Sequence, residues 1–328
     1  MKKKKNNQFA EIVDVLRGHD YILITSHVLP DGDSIGSLIG IGLALESIGK
    51  KVAMVMEDQV PVMYRFLKGT EKILLSHELS IKPELVIFLD CSDQLRAGGN
   101  WLETYLQDVP SINIDHHVSN NFFAAYNLVD HQAAATAEMV YNLIKKMGID
   151  ISEDIATALY TGLVTDTGSF QYQNTSPRTL KTAAALLEHG VQLSFIKEHL
   201  YEQKSMKNYH LLAEAIGNMC FAAEGTIAWT YLDQAIMERL EATAEDCEGI
   251  INYPISLSNV KIGLFFRELS NGYVKVGLRA RSGYDVNKIA LSFGGGGHQL
   301  AAGCTVQGSL QSVITRVIAA TTEMLEER

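Results

Sequence analysis

The 328 residues predict an α/β protein: an N-terminal domain with a mainly parallel sheet flanked by helices, plus a smaller C-terminal α+β domain. Three observations carry that expectation. Up to about residue 190, short β-rich runs alternate with helical stretches, the order of a parallel sheet with crossover helices. From about residue 217, strand-like runs follow one another before two final helical stretches. The length suits two domains, and at 47% apolar residues the chain can bury large cores, which excludes wholesale disorder.

In order along the chain, a helix over 8–17 precedes a strand at 21–25. Residues 34–47 read as a helix (Ile35, Leu38, Ile39, Leu43 and Leu45 apolar), ended by Gly49 and followed by a strand at 51–56. Strands at 85–89 and 111–114 come next, then helices at 134–146, 153–164 and 177–189. The segment 191–216 is helical but more polar, with Lys197, Glu198, Glu202, Lys204 and Lys207, and is read as a connector. Strands at 226–232, 260–268 and 272–280 and helices at 286–293 and 310–326 build the second domain. The boundaries are therefore 1–190, 191–216 and 217–328.

Several function classes drop out. Four scattered cysteines without a Cys-x-x-Cys pair speak against a zinc ribbon or a disulfide framework and suit a reducing cytoplasm. No apolar run approaches the roughly 20 residues a membrane span needs. The lysines of 1–5 are followed by Asn6-Asn7-Gln8 rather than an apolar stretch, so a frayed, solvated terminus is expected there and no signal peptide. A net charge of −10 disfavours long duplex nucleic acid as a partner, while a small anionic substrate is compatible once bound metal reverses the local potential.

The chemistry concentrates at the ends of apolar runs. His27-x-x-x-Asp31-x-Asp33 follows the first strand, Asp90 follows 85–89, Asp115-His116-His117 follows 111–114, and Asp166 follows the apolar run 158–164. Loops at the C-terminal ends of parallel strands are where such sheets place their function. Pro30 and Gly32 tighten the first of these loops. One aspartate after a strand is often only a helix N-cap, and a lone loop histidine is mostly structural. Four aspartates gathered without metal would repel one another, so their joint occurrence predicts a dinuclear metal site. Imidazole mixed with carboxylates suits manganese or a similar first-row ion. Two such ions would share an activated water and clamp a phosphoryl oxygen. His77, His131, His189, His199 and His210 lack this company and are read as surface or supporting residues.

These strings resemble the DHH phosphoesterase superfamily: 26–37 (SHVLPDGDSIGS), Asp90, Asp115-His116-His117 and Thr165-Asp166-Thr167-Gly168. The C-terminal part resembles the DHHA1 domain through Phe293-Gly294-Gly295-Gly296-Gly297-His298 and Ala301-Ala302-Gly303. The resemblance implies one metal held by His27, Asp31 and Asp90, and a second held by Asp33, His116 and Asp166, with Asp90 bridging. His117 would face the scissile phosphate as acid or electrostatic stabiliser, and Asp115 would orient His116.

The glycine run could expose backbone N–H groups as an anion nest formed by Gly295, Gly296 and Gly297 beside His298. Arg267 and Arg279 lie on neighbouring strand-like runs, where guanidinium groups call for an anion. Similar proteins read Leu-Arg-Ser where this chain reads Leu278-Arg279-Ala280-Arg281-Ser282, so Arg281 shares that candidacy.

The layout is most similar to the nanoRNase type. It implies hydrolysis of short oligoribonucleotides, linear dinucleotides such as pApA and pGpG among them, and of 3′-phosphoadenosine 5′-phosphate. A pyrophosphatase or polyphosphatase is the competing enzyme, disfavoured because Phe265, Phe266 and Tyr284 leave room for bases near the glycine run. A non-catalytic nucleotide sensor would be expected to have lost a ligand, and none is missing. An edge strand would permit a homodimer.

Overall fold

The structure, a computed structural model, describes residues 5–80, 82–98, 101 and 108–326. Apart from Lys5, which pairs with Glu11, the lysine run at the N-terminus lies outside the described residues. The chain divides into two compact units, Met1–Gln203 and Lys204–Arg328.

In the first unit, α1 (Phe9–Arg17), β1 (Tyr21–Thr25), α2 (Gly32–Ser47), β2 (Lys51–Met56), β3 (Leu74–Leu75), β4 (Leu85–Leu89), β5 (Ser111–Asp115) and β6 (Tyr126–Val129) follow in order. Then come α3 (Thr136–Met147), α4 (Glu153–Asp166), α5 (Pro177–Glu188) and α6 (Leu193–Tyr201). The sheet has the order β3-β2-β1-β4-β5-β6, and every pairing is parallel. All five residues of β4 are buried, as expected of a central strand covered on both faces. The chain runs outward from β1 to β3 and returns to the other side at β4. The topological switch therefore lies between β1 and β4, where open parallel sheets carry their ligands.

Most of the core lies on the side of α2, α3 and α4, where Ile22, Ile24, Ile87 and Ile112 meet Leu38, Leu143 and Leu159. A smaller cluster around Leu23, Val55, Val86 and Phe88 covers the other face. Helix α2 is buried almost all round, and three glycines one turn apart let α4 approach it. A Cβ on Gly36 would stand 2.3 Å from the Ala158 carbonyl oxygen, and one on Gly32 would meet the Thr165 side chain. On Gly40 it would meet the tip of Leu159.

The outer side of β6 is covered by the chain's own start. The Asn7 N–H donates to the Asn127 carbonyl (2.5 Å), the Asn127 N–H to Asn7 Oδ1 (2.9 Å) and the Val129 N–H to Asn6 Oδ1 (2.9 Å).

The second unit comprises α7 (Met206–Gly217), β7 (Cys220–Ala222), β8 (Ile227–Leu232), α8 (Gln234–Arg239), α9 (Asn252–Ser256), β9 (Ile262–Glu268) and β10 (Tyr273–Ala280). It ends with α10 (Val286–Ser292), β11 (Gly296–His298), β12 (Ala301–Gln307) and α11 (Leu310–Glu326). Its sheet, β11-β12-β10-β9-β8-β7, is antiparallel except for the parallel pair β8–β9. Leu264, Phe266, Val276 and Leu278 pack with Val286, Ile289 and Val317 in one core, and Leu211, Ala215, Leu232, Met237 and Ile250 form a second cluster.

The stretch expected as a connector is two helices with separate allegiances. Ile196 and Leu200 of α6 belong to the first unit's core, while Leu211 and Ala215 of α7 belong to the second unit's smaller cluster. Each helix buries its apolar stripe at home, which is why 191–216 is not a free spacer.

Candidate metal centre

The strand ends place the first candidate ligands. His27 leaves β1 and is buried; its Nδ1 lies 2.9 Å from the Val28 carbonyl, which makes Nδ1 the donor. Its Nε2 then faces Asp90 Oδ2 at 3.4 Å and Asp31 Oδ1 at 3.7 Å. Asp31 is the N-cap of α2 and accepts from the Ser34 N–H at 3.0 Å. Asp90 directly follows β4 with φ +58°, a left-handed conformation unusual for any residue but glycine. That turn lets its two oxygens serve two directions.

His116 follows β5. Its Nδ1 is 3.2 Å from the Ala133 carbonyl, so Nε2 looks toward Asp90 Oδ1 (3.5 Å), Asp166 Oδ2 (3.5 Å) and Asp33 Oδ2 (4.0 Å).

Two aspartates depart from the expected strand-end and loop positions. Asp166 is the last residue of helix α4, the helix expected over 153–164, so it stands at a helix end and not at a strand end. Asp33 stands in the first turn of α2 rather than in the loop. Both its oxygens accept from the start of α3: Thr136 N–H to Oδ2 at 2.6 Å and Ala137 N–H to Oδ1 at 2.8 Å. The N-cap of α3, Ala135, has no capping side chain, so Asp33 caps this helix from another element. Thr136 Oγ1 donates to Asp90 Oδ1 at 2.9 Å, tying both carboxylates to one helix start.

A further correction concerns Asp115. It orients His117 and not His116: His117 Nδ1 lies 2.7 Å from Asp115 Oδ1, while His116 is held by the Ala133 carbonyl. Asp115 is itself fixed by Asn120 Nδ2 at 2.5 Å, which is also 2.7 Å from Asn113 Oδ1. Asn113 is fully buried between Ile112 and Ile114, and a polar amide inside an apolar strand was the available signal for this network.

Other supports left no such trace. Glu138, fully buried on α3, pairs with Arg178 and accepts from the Ala134 N–H at 3.1 Å. Asn174 Nδ2 donates to both the Ala134 and Asp166 carbonyls at 3.0 Å. Together they hold the turn that carries Ala133 and Thr136.

The donors suit divalent ions. Among the described residues, His27, Asp31 and Asp90 form one group able to hold an ion, and Asp33, Asp90 and His116 form a second. Separations of 3.4–4.0 Å are too long for good hydrogen bonds. They approach the roughly 3.0–3.4 Å between ligands that each sit about 2.1 Å from one ion.

Electrostatics agree. Burial and the nearby Asp90 push Asp33 up to about 7, and burial with Asp33 and Asp31 pushes Asp166 well above the usual carboxylate range. Burial also opposes the charge on Asp90, but His27, His117 and His116 outweigh it and hold that carboxyl low. For His27 burial favours the neutral ring, yet Asp31 and Asp90 push it up to about 11. A cation would satisfy all of these groups at once.

In the second unit, Arg267 and Arg279 share a sheet face but are not opposite each other. Arg267 pairs with Lys275, and Arg279 pairs with Gly263. Arg281 lies beyond β10, with Nη2 2.9 Å from the Leu257 carbonyl.

The glycine run is a hairpin arm rather than a loop nest, for Gly296–His298 pair with Ala301–Gly303. Gly294 (φ +74°) ends α10, and Gly297 takes φ +147°. A Cβ on Gly295 would lie 2.2 Å from the Gly303 carbonyl. Three of the four glycines thus have a reason in the fold, Gly294 and Gly297 in a positive φ and Gly295 in a close approach, while neither applies to Gly296.

Residues 21–163 match the DHH family, N-terminal domain, and residues 228–327 match the DHHA1 domain. The bifunctional oligoribonuclease and PAP phosphatase NrnA of Thermus thermophilus is 34% identical, over 98% of this chain and 95% of that protein. The protein of the same name from Bacillus subtilis is 27% identical, over 90% and 93%. The crystal structure of an exopolyphosphatase-related protein from Bacteroides fragilis superposes with a TM-score of 0.89 at 27% identity, covering 97% of this chain and 95% of that one. With its strand-end imidazoles and carboxylates, and with relatives matched over nearly its whole length, the chain belongs to the DHH phosphoesterase family and carries a DHHA1 domain as its C-terminal part.

Proposed function

We propose that the protein hydrolyses short oligoribonucleotides and 3′-phosphoadenosine 5′-phosphate with two divalent ions, manganese by the donor chemistry. The observation that carries this is the position of Asp90, with one oxygen toward His27 and the other toward His116. His27 and Asp31 would complete one ion's shell, and Asp33, His116 and Asp166 the other's. When bound, such a pair supplies Lewis acidity toward a phosphoryl oxygen and makes water a usable nucleophile at neutral pH.

The chain's own groups do the rest. Thr136 and the start of α3 fix Asp33 and Asp90 before substrate arrives. The proton on His117 Nδ1 is held by Asp115, which leaves Nε2 to meet the phosphate. For His117 burial favours the neutral ring, but Asp115 and Asp90 raise its pKa, which favours a proton available to a leaving oxygen. Arg267, Arg279, Arg281 and His298 are the proposed anion contacts of the DHHA1 domain, with Gly296 as the one glycine of the run that neither a positive φ nor a close backbone contact accounts for. The T. thermophilus relative's name supports the substrate class. The four free cysteines suit a cytoplasmic setting.

The test is a manganese-supplemented assay with RNAs of about two to twenty nucleotides, 3′-phosphoadenosine 5′-phosphate and pyrophosphate. Turnover should fall with RNA length, and Asp90→Ala should abolish it. A preference for the longest RNAs would refute the substrate class, and full activity of Asp90→Ala the mechanism. Faster cleavage of pyrophosphate than of any dinucleotide would favour the phosphoanhydride reading, which the exopolyphosphatase-related structure keeps in play.

A further inference from the structure

Directly after Asp166 the chain makes a turn that ordinary residues avoid. Gly168, Ser169 and Phe170 take φ of +54°, +58° and +64° in succession, two of them with side chains that resist this conformation. Such strain persists only where the surroundings impose it, and they do so here. Thr167 Oγ1 donates to the Leu163 carbonyl at 2.7 Å, the Ser169 N–H donates to the Val164 carbonyl at 2.8 Å, and Ser169 Oγ meets Tyr201 OH at 2.8 Å. The Phe170 ring turns inward to stack edge-on to Tyr160 at 6.1 Å.

The reversal sends Tyr172 the other way. Its ring lies across Gly168, where a Cβ would stand 2.4–2.7 Å from three ring carbons, so only glycine leaves room for it. Two residues on, Asn174 ties the turn to the carbonyls of Asp166 and Ala134. The ring is seated on one side and still 48% exposed, six residues from a metal-site carboxylate.

We propose that Tyr172 is a stacking platform for a nucleobase of the substrate, and so sets a preference for nucleotides over simple phosphate esters. A seated aromatic ring offers a π-face at little entropic cost, and stacking tolerates any base because every base has such a face. The strained turn is the means by which a ring following a ligand residue is aimed outward. This inference rests on the nucleotide-hydrolase reading above.

The test compares wild type with Tyr172→Phe, Tyr172→Leu and Tyr172→Ala. Each is assayed on a diribonucleotide and on the same dinucleotide made abasic at both positions. Tyr172→Phe should keep wild-type kcat/KM. Leucine, which fills the seat over Gly168 without a π-face, and alanine should each lose roughly 5- to 150-fold on the base-bearing substrate, chiefly through KM. On the abasic substrate both should match wild type, which also shows that the fold and the metal centre are intact. Equal losses on both substrates, or none on either, would overturn the platform. Failure of wild type to cleave the dinucleotide at all would instead overturn the nucleotide-hydrolase reading.

Discussion

Replacing Gly36 with alanine tests whether the closeness of α2 and α4 builds the metal centre. In an open helix this change stabilises by about 1 kcal/mol, because alanine is the better helix former. Here the new methyl would stand 2.3 Å from the Ala158 carbonyl oxygen and 2.9 Å from the Gly162 nitrogen, where ordinary contact begins at 3.4 Å. Both obstacles are backbone, so no side chain can rotate away and α4 must withdraw by about 1 Å. Overpacking of this kind costs about 1–3 kcal/mol, and the upper end applies because the obstacle is rigid. Offset by the helix gain, the net loss is about 2 kcal/mol, or roughly 4–8 °C in Tm for a unit of this size.

The catalytic loss should be larger in proportion. Asp33 sits on α2 three residues before Gly36, and Asp166 sits on α4 four residues after Gly162. A displacement of about 1 Å between catalytic groups can cost about 100-fold in rate. Differential scanning calorimetry, calorimetric manganese titration and kcat would be measured together. Gly40→Ala should be milder, since its obstacle is the movable tip of Leu159, and Gly217→Ala, with nothing within 4 Å, should be harmless. A Gly36→Ala protein as stable and as active as wild type would refute the argument.

Three other outcomes are expected. Arg178→Ala strips the buried Glu138 of its cation; discounting the 3–5 kcal/mol of a fully buried pair because Arg178 is 44% exposed, urea unfolding should show a loss of about 2 kcal/mol, with weakened manganese affinity. In protein stripped of metal, Asp33 binds its proton more tightly folded (about 7) than unfolded (3.8), and Asp166 is shifted the same way. The stability this contributes is complete below the unfolded value and lost as pH rises through the folded one, whereas the depressed Asp31 and Asp90 lose theirs only below about pH 4. Chelated protein should therefore melt lower at about pH 7.5 than at about pH 5, with manganese abolishing the difference; the reverse order would contradict the burial argument. Burial raises Cys91, Cys247 (to about 11) and Cys304, so iodoacetamide at about pH 8 should label only the half-buried Cys220, and mass spectrometry of a second modified thiol in folded protein would count against it.

Much of the sheet was legible because parallel strands are continuous apolar runs bounded by turn residues. The helices expected after β1 and after β6 lie close to where periodicity put them. Short elements were not: β3 has two residues, β6 four and β11 three, too few for any period to register. The candidate ligands could be singled out because carboxylates and imidazoles at run ends are conspicuous, but their hydrogen-bond partners could not. Asp115 reaches His117 rather than its neighbour because the chain turns as it leaves β5, and spacing carries no record of that turn. The trans cap that Asp33 gives α3 depends on two helices meeting, and the glycine stripe that lets α2 and α4 meet is visible at 32, 36 and 40 only to a reader looking for close packing.

The asparagines over β6 have a consequence for solubility. An outermost strand with open backbone amides is a template on which a second chain can grow. Here Asn6 and Asn7 occupy those positions from Asn127 to Val129, so the strand is stoppered by its own polypeptide. Trimming the protein beyond Asn7 would leave the whole cluster of imidazoles and carboxylates in place and yet uncover that template. The product of such a trim is expected to be a self-associating, poorly soluble protein, and fusion partners belong behind a linker that lets these two residues dock.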